Sequence, residues 1–205
     1  MPWVQLGRAA IDALPVPRNV VAIDAINHNA AVAQLGVGAL GVGEDHQNGR
    51  SRTEVINLIN AGLVQRLFLE CDDQNQHELD AALARNPNLA NYVPTIAAVV
   101  TNRGPQYGNP VPLGNVAVAA VGAANPIPMH FIDTYTRNRG AWDKLTLRDA
   151  NAAASFRART QAGGVVGSLV LFGAHHFRGS QARYGTQGRC LGENLGLEYV
   201  DFGST

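Results

Sequence analysis

Short apolar runs alternate with amphipathic segments along this chain, a pattern typical of α/β proteins. Runs rich in small and β-branched residues predict strands, and apolar residues at a spacing of 3.6 predict helices. The predicted strands are 19–26, 38–46, 67–71, 129–134, 165–172 and 196–202. The predicted helices are 51–62, 74–85 and a long one from Trp142 to Phe156 that the Gly163-Gly164 pair ends. Two apolar segments stay open: 92–100 is helix or strand, and 115–122 is a strand or a tightly packed apolar segment.

These elements predict one α/β domain over residues 1–205, with a mixed, mostly parallel sheet and flanking helices. A chain of 205 residues is large enough to bury a core. The unit from 38 to 71 has the length of a βαβ crossover, so we expect parallel neighbours with a right-handed connection. Residues 1–18, which contain three prolines, are expected to form a lead-in.

Local signals mark helix starts and loops. Ser51 and Glu54 have the spacing of a capping box at the start of a helix. Glycine and proline are dense from 102 to 112, which predicts a long loop, and loops of this length often act as lids or binding loops.

The charge composition limits the classes of partner that we expect the protein to bind. The formal net charge is zero and 16% of residues are charged, which argues against a nucleic-acid groove or a membrane-surface patch. No apolar run approaches the roughly 20 residues of a membrane span, and the N-terminus lacks the features of a secretory signal. We therefore expect a soluble protein with no nucleic-acid partner. The compartment stays open, and secretion as an effector domain is compatible with the sequence.

Candidate chemistry follows the strands. Two predicted strands end in Gly-x-x-His, at Gly43–His46 and Gly173–His176, and Glu44 and Glu70 also lie at strand ends. Because ligands of α/β sheets bind outside the carboxyl ends of the strands, we expect these four side chains to converge. Asp24 and His28 are interpreted instead as turn residues or satisfied polar groups.

These residues carry a resemblance to a known family. Gly43-Glu-Asp-His46, Leu67-Phe-Leu-Glu70, Arg137-Asn138 and Leu171–Gly179 resemble, in the same order, the motifs of the Tiki/TraB family of metal-dependent peptidases. In that register His176, not His175, takes the motif position. The family belongs to a wider group with the erythromycin esterases, the haem-binding ChaN proteins and a domain of several bacterial toxins. The resemblance spans roughly residues 36 to 202 and implies an EreA/ChaN-like fold.

The resemblance implies a metal-dependent, peptidase-like hydrolase. His46, His176 and Glu44 or Glu70 would hold Mn²⁺, Co²⁺ or Zn²⁺, and these residue types suit such ions. The remaining carboxylate would act as general base, and Arg137 would bind a substrate carboxylate or stabilise an oxyanion. Expected partners are a peptide or small-molecule substrate, and a larger parent toxin or a cognate inhibitor.

Three alternatives stay open. Glu44 with His46 or His176 could activate water without a metal, as in the esterase branch. A haem-binding or interaction module, as the ChaN resemblance permits, could use a histidine or a tyrosine at the sheet edge; Tyr107, Tyr184 and Tyr199 are available. Cys71 or Cys190 with His176 could form a thiol nucleophile, although a cysteine at a strand end is more often a small core residue.

Overall fold

A computed structural model describes residues 25–84, 89–105, 108–123, 126–134, 145–178 and 190–202. These residues form a single α/β domain. Its five strands are β1 (Ala39–Glu44), β2 (Arg66–Asp72), β3 (Met129–Asp133), β4 (Ser168–Gly173) and β5 (Glu198–Asp201). Its α-helices are α1 (Ala25–Val37), α2 (Arg50–Asn60), α3 (Gln76–Ala84), α4 (Leu89–Arg103), α5 (Leu113–Gly122), α6 (Leu145–Thr160), α7 (His175–Arg178) and α8 (Leu191–Leu195), and a 3₁₀ turn covers Asp73–Asn75.

The five strands form one sheet in the order β3-β2-β4-β1-β5, and every described pairing is parallel. Helices cover both faces, which explains why β1 and β4 are buried along their whole length. One core cluster joins the sheet to α1–α5, and a second joins its other face to α6–α8. No helix in the described part of the chain is long and apolar enough to cross a membrane.

The expectation that β1 and β2 are neighbours is wrong, because β4 lies between them. β4 pairs with β1 through Glu44 and Gly173, and with β2 through Leu69 and Leu171. The side chains of β4 pack into both core clusters, Leu169 and Leu171 on one face of the sheet and Phe172 on the other. β4 therefore fills the centre of the sheet. The insertion makes the two Gly-x-x-His strands direct neighbours.

Two of the ambiguous or strand-like segments are helices. Residues 92–100 lie in α4, and 115–122 lie in α5, in which nearly every residue is buried. The predicted strand 19–26 lies outside the described residues except for Ala25 and Ile26, which begin α1. The predicted lead-in also lies outside them.

The capping box is a further correction. α2 begins at Arg50 after Gly49, and the Arg50 N–H donates to Asn48 Oδ1 at 2.9 Å. Ser51 Oγ instead donates to the Gly43 carbonyl at 2.8 Å, and Glu54 pairs with His28 at 3.0 Å. His28 is thus a satisfied polar group, as expected, although it lies on α1 and not in a turn.

Candidate functional site

The carboxyl edge of the sheet brings together four of the five predicted site residues. Glu44 ends β1, Glu70 lies near the end of β2, and His46 and His176 follow β1 and β4. Arg137 lies outside the described residues. The convergence follows from the parallel strands, because their carboxyl ends share one edge.

The first half of the site is built on Glu44, which is 3% exposed. Its Oε1 lies 2.8 Å from Nδ1 of His46. Arg52 donates to both carboxylate oxygens, from Nε at 2.7 Å and from Nη2 at 2.9 Å. This two-point contact fixes the plane of the carboxylate. Glu44 therefore holds His46 by Nδ1 and leaves Nε2 directed into the site.

The second half repeats this arrangement with different residues. Nδ1 of His176 lies 2.5 Å from Oδ1 of Asp149, a fully buried residue in the first turns of α6. The other oxygen of Asp149 accepts the backbone N–H of Leu191 at 2.9 Å. His175, by contrast, is exposed, which agrees with the preference for His176.

Glu70 lies between the two imidazoles. Its Oε2 is 3.6 Å from Nε2 of His46, and its Oε1 is 3.5 Å from Nε2 of His176. The backbone N–H of Gly173 donates to Oε2 at 2.7 Å. A Cβ on Gly173 would lie 2.7 Å from Nε2 of His46, so a side chain there would displace the ring. This close approach explains the glycine that precedes His176.

Asp149 and Arg148 are site residues that the sequence reasoning missed. Arg148 donates to both oxygens of Asp133, at 3.0 and 2.7 Å, and its Nη2 lies 3.6 Å from Oε1 of Glu70. It places a guanidinium beside Glu70, whereas Arg137, the arginine that was expected at the site, lies outside the described residues. The available signal was Asp149 itself, because it falls on the same helical stripe as Ala152, Ala153 and Phe156.

The contacts within the site shift the pKa values of its carboxylate and imidazole groups. Burial opposes ionisation of Glu70, but its neighbours outweigh burial and lower its pKa to about 2. These neighbours are His176, through its charge and a hydrogen bond, His46, through its charge, and the backbone N–H of Gly173. Burial also opposes the charged form of His176, yet the Glu70 and Asp149 carboxylates raise its pKa to about 10. For His46, the hydrogen bond to Glu44 and the charge of Glu70 outweigh burial and raise the pKa. Without another cation, the site retains imidazolium.

The charge balance of the described network explains this retention. Four carboxylates against two guanidiniums, at their usual charges, leave a net charge of −2; they are Glu44, Glu70, Asp133, Asp149, Arg52 and Arg148. Burying uncompensated charge is costly. Protons on both imidazoles would restore neutrality, and so would one divalent cation with both imidazoles neutral.

The residue types at the site suit a divalent metal ion, and Glu70 is better placed than Glu44 of the two carboxylates that were expected as ligands. Both oxygens of Glu44 are engaged by Arg52 and His46, so the carboxylate that faces the two Nε2 atoms is Glu70. Metal-binding histidines usually have the other ring nitrogen hydrogen-bonded to a carboxylate or carbonyl, as Glu44 and Asp149 provide here. Among the described residues, however, no group of three or more His, Cys, Asp or Glu side chains is arranged closely enough to hold a metal ion.

The site opens to solvent on the His46 side. The side chain of His46 is 22% exposed, against 11% for Glu70 and 7% for His176. Of these three groups, His46 is the one most accessible to water or a substrate.

The cysteines and Tyr199 lie in other surroundings. Cys71 and Cys190 are buried free thiols, and burial raises the pKa of Cys71 well above its usual value, which disfavours the reactive thiolate. Tyr199 stacks on Phe177 with ring centroids 5.7 Å apart. Tyr107 and Tyr184 lie outside the described residues, so the haem alternative stays a prediction.

Comparisons with models of protein families, with curated proteins and with solved structures found no match.

Proposed function

We propose that the protein is a metal-dependent hydrolase that holds one divalent ion, Mn²⁺, Co²⁺ or Zn²⁺, through His46, His176 and Glu70. One observation carries the proposal: two imidazoles, each held at Nδ1 by a buried carboxylate, direct Nε2 toward the same carboxylate. Such an N₂O donor set suits these ions and leaves room for water or a substrate.

The charge balance supports the same proposal. A divalent ion would supply the two positive charges that the described network lacks, and its binding would release the proton that His176 otherwise retains.

The residues of the chain have distinct roles in this proposal. When bound, the ion supplies Lewis-acid activation of water and of a carbonyl group. Glu44 and Asp149 keep Nδ1 of each imidazole protonated and leave Nε2 as the donor atom. Arg148, held by Asp133, presents its guanidinium to the negative charge that develops on a substrate oxygen.

The substrate class follows from the motif resemblance. A peptide or a small ester or amide is the proposed substrate, and an effector domain of a larger toxin with a cognate inhibitor is the proposed biological setting. Both rest on the order of the Gly43–His46, Leu67–Glu70 and Leu171–Gly179 motifs.

A metal-free acid–base hydrolase is the second candidate, favoured by the pairing of His176 with Glu70. Protonated His176 offsets the charge of Glu70, and His46 is the accessible base oriented by Glu44. In that case the neutral form of His46 would accept a proton from water, and Arg148 would stabilise the oxyanion.

One activity screen separates the two candidates. Protein purified without chelator is assayed on chromogenic peptide and ester libraries, before and after EDTA, and then with Mn²⁺, Co²⁺ or Zn²⁺ restored. Metal dependence predicts activity lost in EDTA and regained with metal, and none in His46→Ala or His176→Ala. His77→Ala, which alters an exposed histidine on α3, is the matched control. Activity that EDTA leaves unchanged supports the second candidate, and full activity of His46→Ala contradicts both.

A further inference from the structure

Arg52 is a buried arginine whose contacts extend beyond the carboxylate it pairs with. It is 2% exposed and is among the largest fully buried side chains of the described residues. Besides Glu44, it donates from Nη1 to the carbonyl of Val111 at 2.9 Å and from Nη2 to that of Pro105 at 3.4 Å. One guanidinium therefore contacts both the Glu44–His46 pair and the two ends of the glycine- and proline-rich loop.

The segment 108–112 lies directly against the turn that carries His46. Asn109 Nδ2 donates to the Asn48 carbonyl at 2.9 Å, and Asn109 Oδ1 accepts the Val111 N–H at 2.9 Å. A Cβ on Gly49 would lie 2.7 Å from Cγ2 of Val111, so the backbone of Gly49 is in close contact with the Val111 side chain. These contacts make the segment a packed wall beside the site.

We propose that Arg52 is a positioning residue that makes the alignment of His46 depend on segment 108–112. The chain of contacts runs from Val111 through Arg52 to Glu44 and then to Nδ1 of His46. The planar fork of arginine meets the carboxylate and both carbonyls at once. A lysine would keep the charge but has no such fork. The inference rests on the proposed function for its consequence, since an aligned His46 is what the metal site requires.

The experiment compares Arg52→Lys and Asn109→Ala with Arg103→Lys. Arg103 also forms a two-point pair, with Glu78 at 2.9 and 2.6 Å, but this pair is exposed and joins α4 to α3. The first readout is the ¹⁵N spectrum of the His46 ring in EDTA at a pH above its raised pKa, which reports whether the neutral ring carries its proton on Nδ1. The second is the affinity for Co²⁺ by titration calorimetry.

Wild type and Arg103→Lys should show a neutral His46 ring protonated at Nδ1 and equal Co²⁺ affinity. Arg52→Lys should mix the two tautomers and weaken Co²⁺ binding by about 10- to 100-fold, the usual effect of losing a partner outside the metal ligands. Asn109→Ala should change both readouts in the same direction by a smaller factor.

An unchanged His46 tautomer in folded Arg52→Lys would overturn the proposal. If Arg52→Lys does not fold, an unchanged tautomer in Asn109→Ala would do the same. If wild type binds no Co²⁺ while the variants still shift the tautomer, the proposed metal function fails and the positioning role of Arg52 stands.

Discussion

Two histidines in different parts of the molecule show how partners decide the state of a buried imidazole. His176, at the carboxyl edge of the sheet, contacts Asp149 and Glu70, which raise its pKa to about 10. His130, near the start of β3, packs against Phe68 with centroids 5.2 Å apart, and its buried Nδ1 has no hydrogen-bond partner among the described residues. Burial, with the charges of Arg159 and Arg66, lowers the pKa of His130 to about 4.

The different partners of His176 and His130 distinguish a histidine in a candidate site from a histidine in the core. At the carboxyl edge, nearly every polar atom of the two imidazoles has a partner, because each ring nitrogen faces a carboxylate. At His130 the ring serves mainly as an aromatic surface. A buried histidine indicates a functional site only where its neighbours include ionisable groups that can form an ion pair with it or share its proton.

Asp149→Ala should have the largest effect on stability. It leaves the His176 ring and the Leu191 N–H without their acceptor, and breaking a buried ion pair costs about 3–5 kcal/mol. Urea denaturation should show this loss, whereas Asp149→Asn, which keeps an acceptor oxygen, should lose less. Equal stability of Asp149→Ala and wild type would mean that the contact to His176 contributes nothing.

Gly173→Ala should damage the site and spare the fold. The added methyl group would lie 2.7 Å from Nε2 of His46 and 3.4 Å from Oε2 of Glu70. We expect Co²⁺ affinity to fall by about 10- to 100-fold, with a melting temperature within a few degrees of wild type. Unchanged affinity in titration calorimetry would show that the close approach has no functional role.

The stability of the metal-free protein should pass through a maximum near pH 6.5. His176 has a folded pKa of about 10 against 6.5, so its contribution is complete below pH 6.5 and is lost as pH rises through 10. His130 has a folded pKa of about 4, so stability is complete above pH 6.5 and declines as pH falls toward 4. Urea denaturation in EDTA across pH 4 to 10 measures the free energy of unfolding on both the acidic and the alkaline limb of this profile. Asp149→Asn should flatten the alkaline limb alone.

His130→Phe should have the smallest effect and the opposite sign. It removes an unsatisfied buried nitrogen, a penalty of about 1–3 kcal/mol, and keeps an aromatic ring against Phe68. We expect a gain of about 1 kcal/mol, because the larger ring offsets part of the benefit. A thermal melt that shows destabilisation would mean that Nδ1 of His130 has a partner that matters.

The sequence allowed the strand ends of the site to be predicted, because runs such as 38–46 and 165–172 are local signals and parallel strands share one edge. It did not reveal the position of β4 between β1 and β2, which depends on packing against both faces of the sheet. Residues 115–122 resemble a strand because α5 is buried on all sides and lacks a polar stripe. Asp149 was missed because a carboxylate on a helix usually faces solvent; its position on the apolar stripe of α6 indicated burial, but its contact with His176 depends on the fold.

The central claim is that His46, His176 and Glu70 hold one divalent ion. Its most direct test is titration of the chelator-treated protein with Co²⁺, followed by visible absorption and equilibrium dialysis. We predict one Co²⁺ per chain for wild type and for His77→Ala, and none for His46→Ala or His176→Ala. Absence of binding by wild type, or stoichiometric binding by both histidine variants, would contradict it.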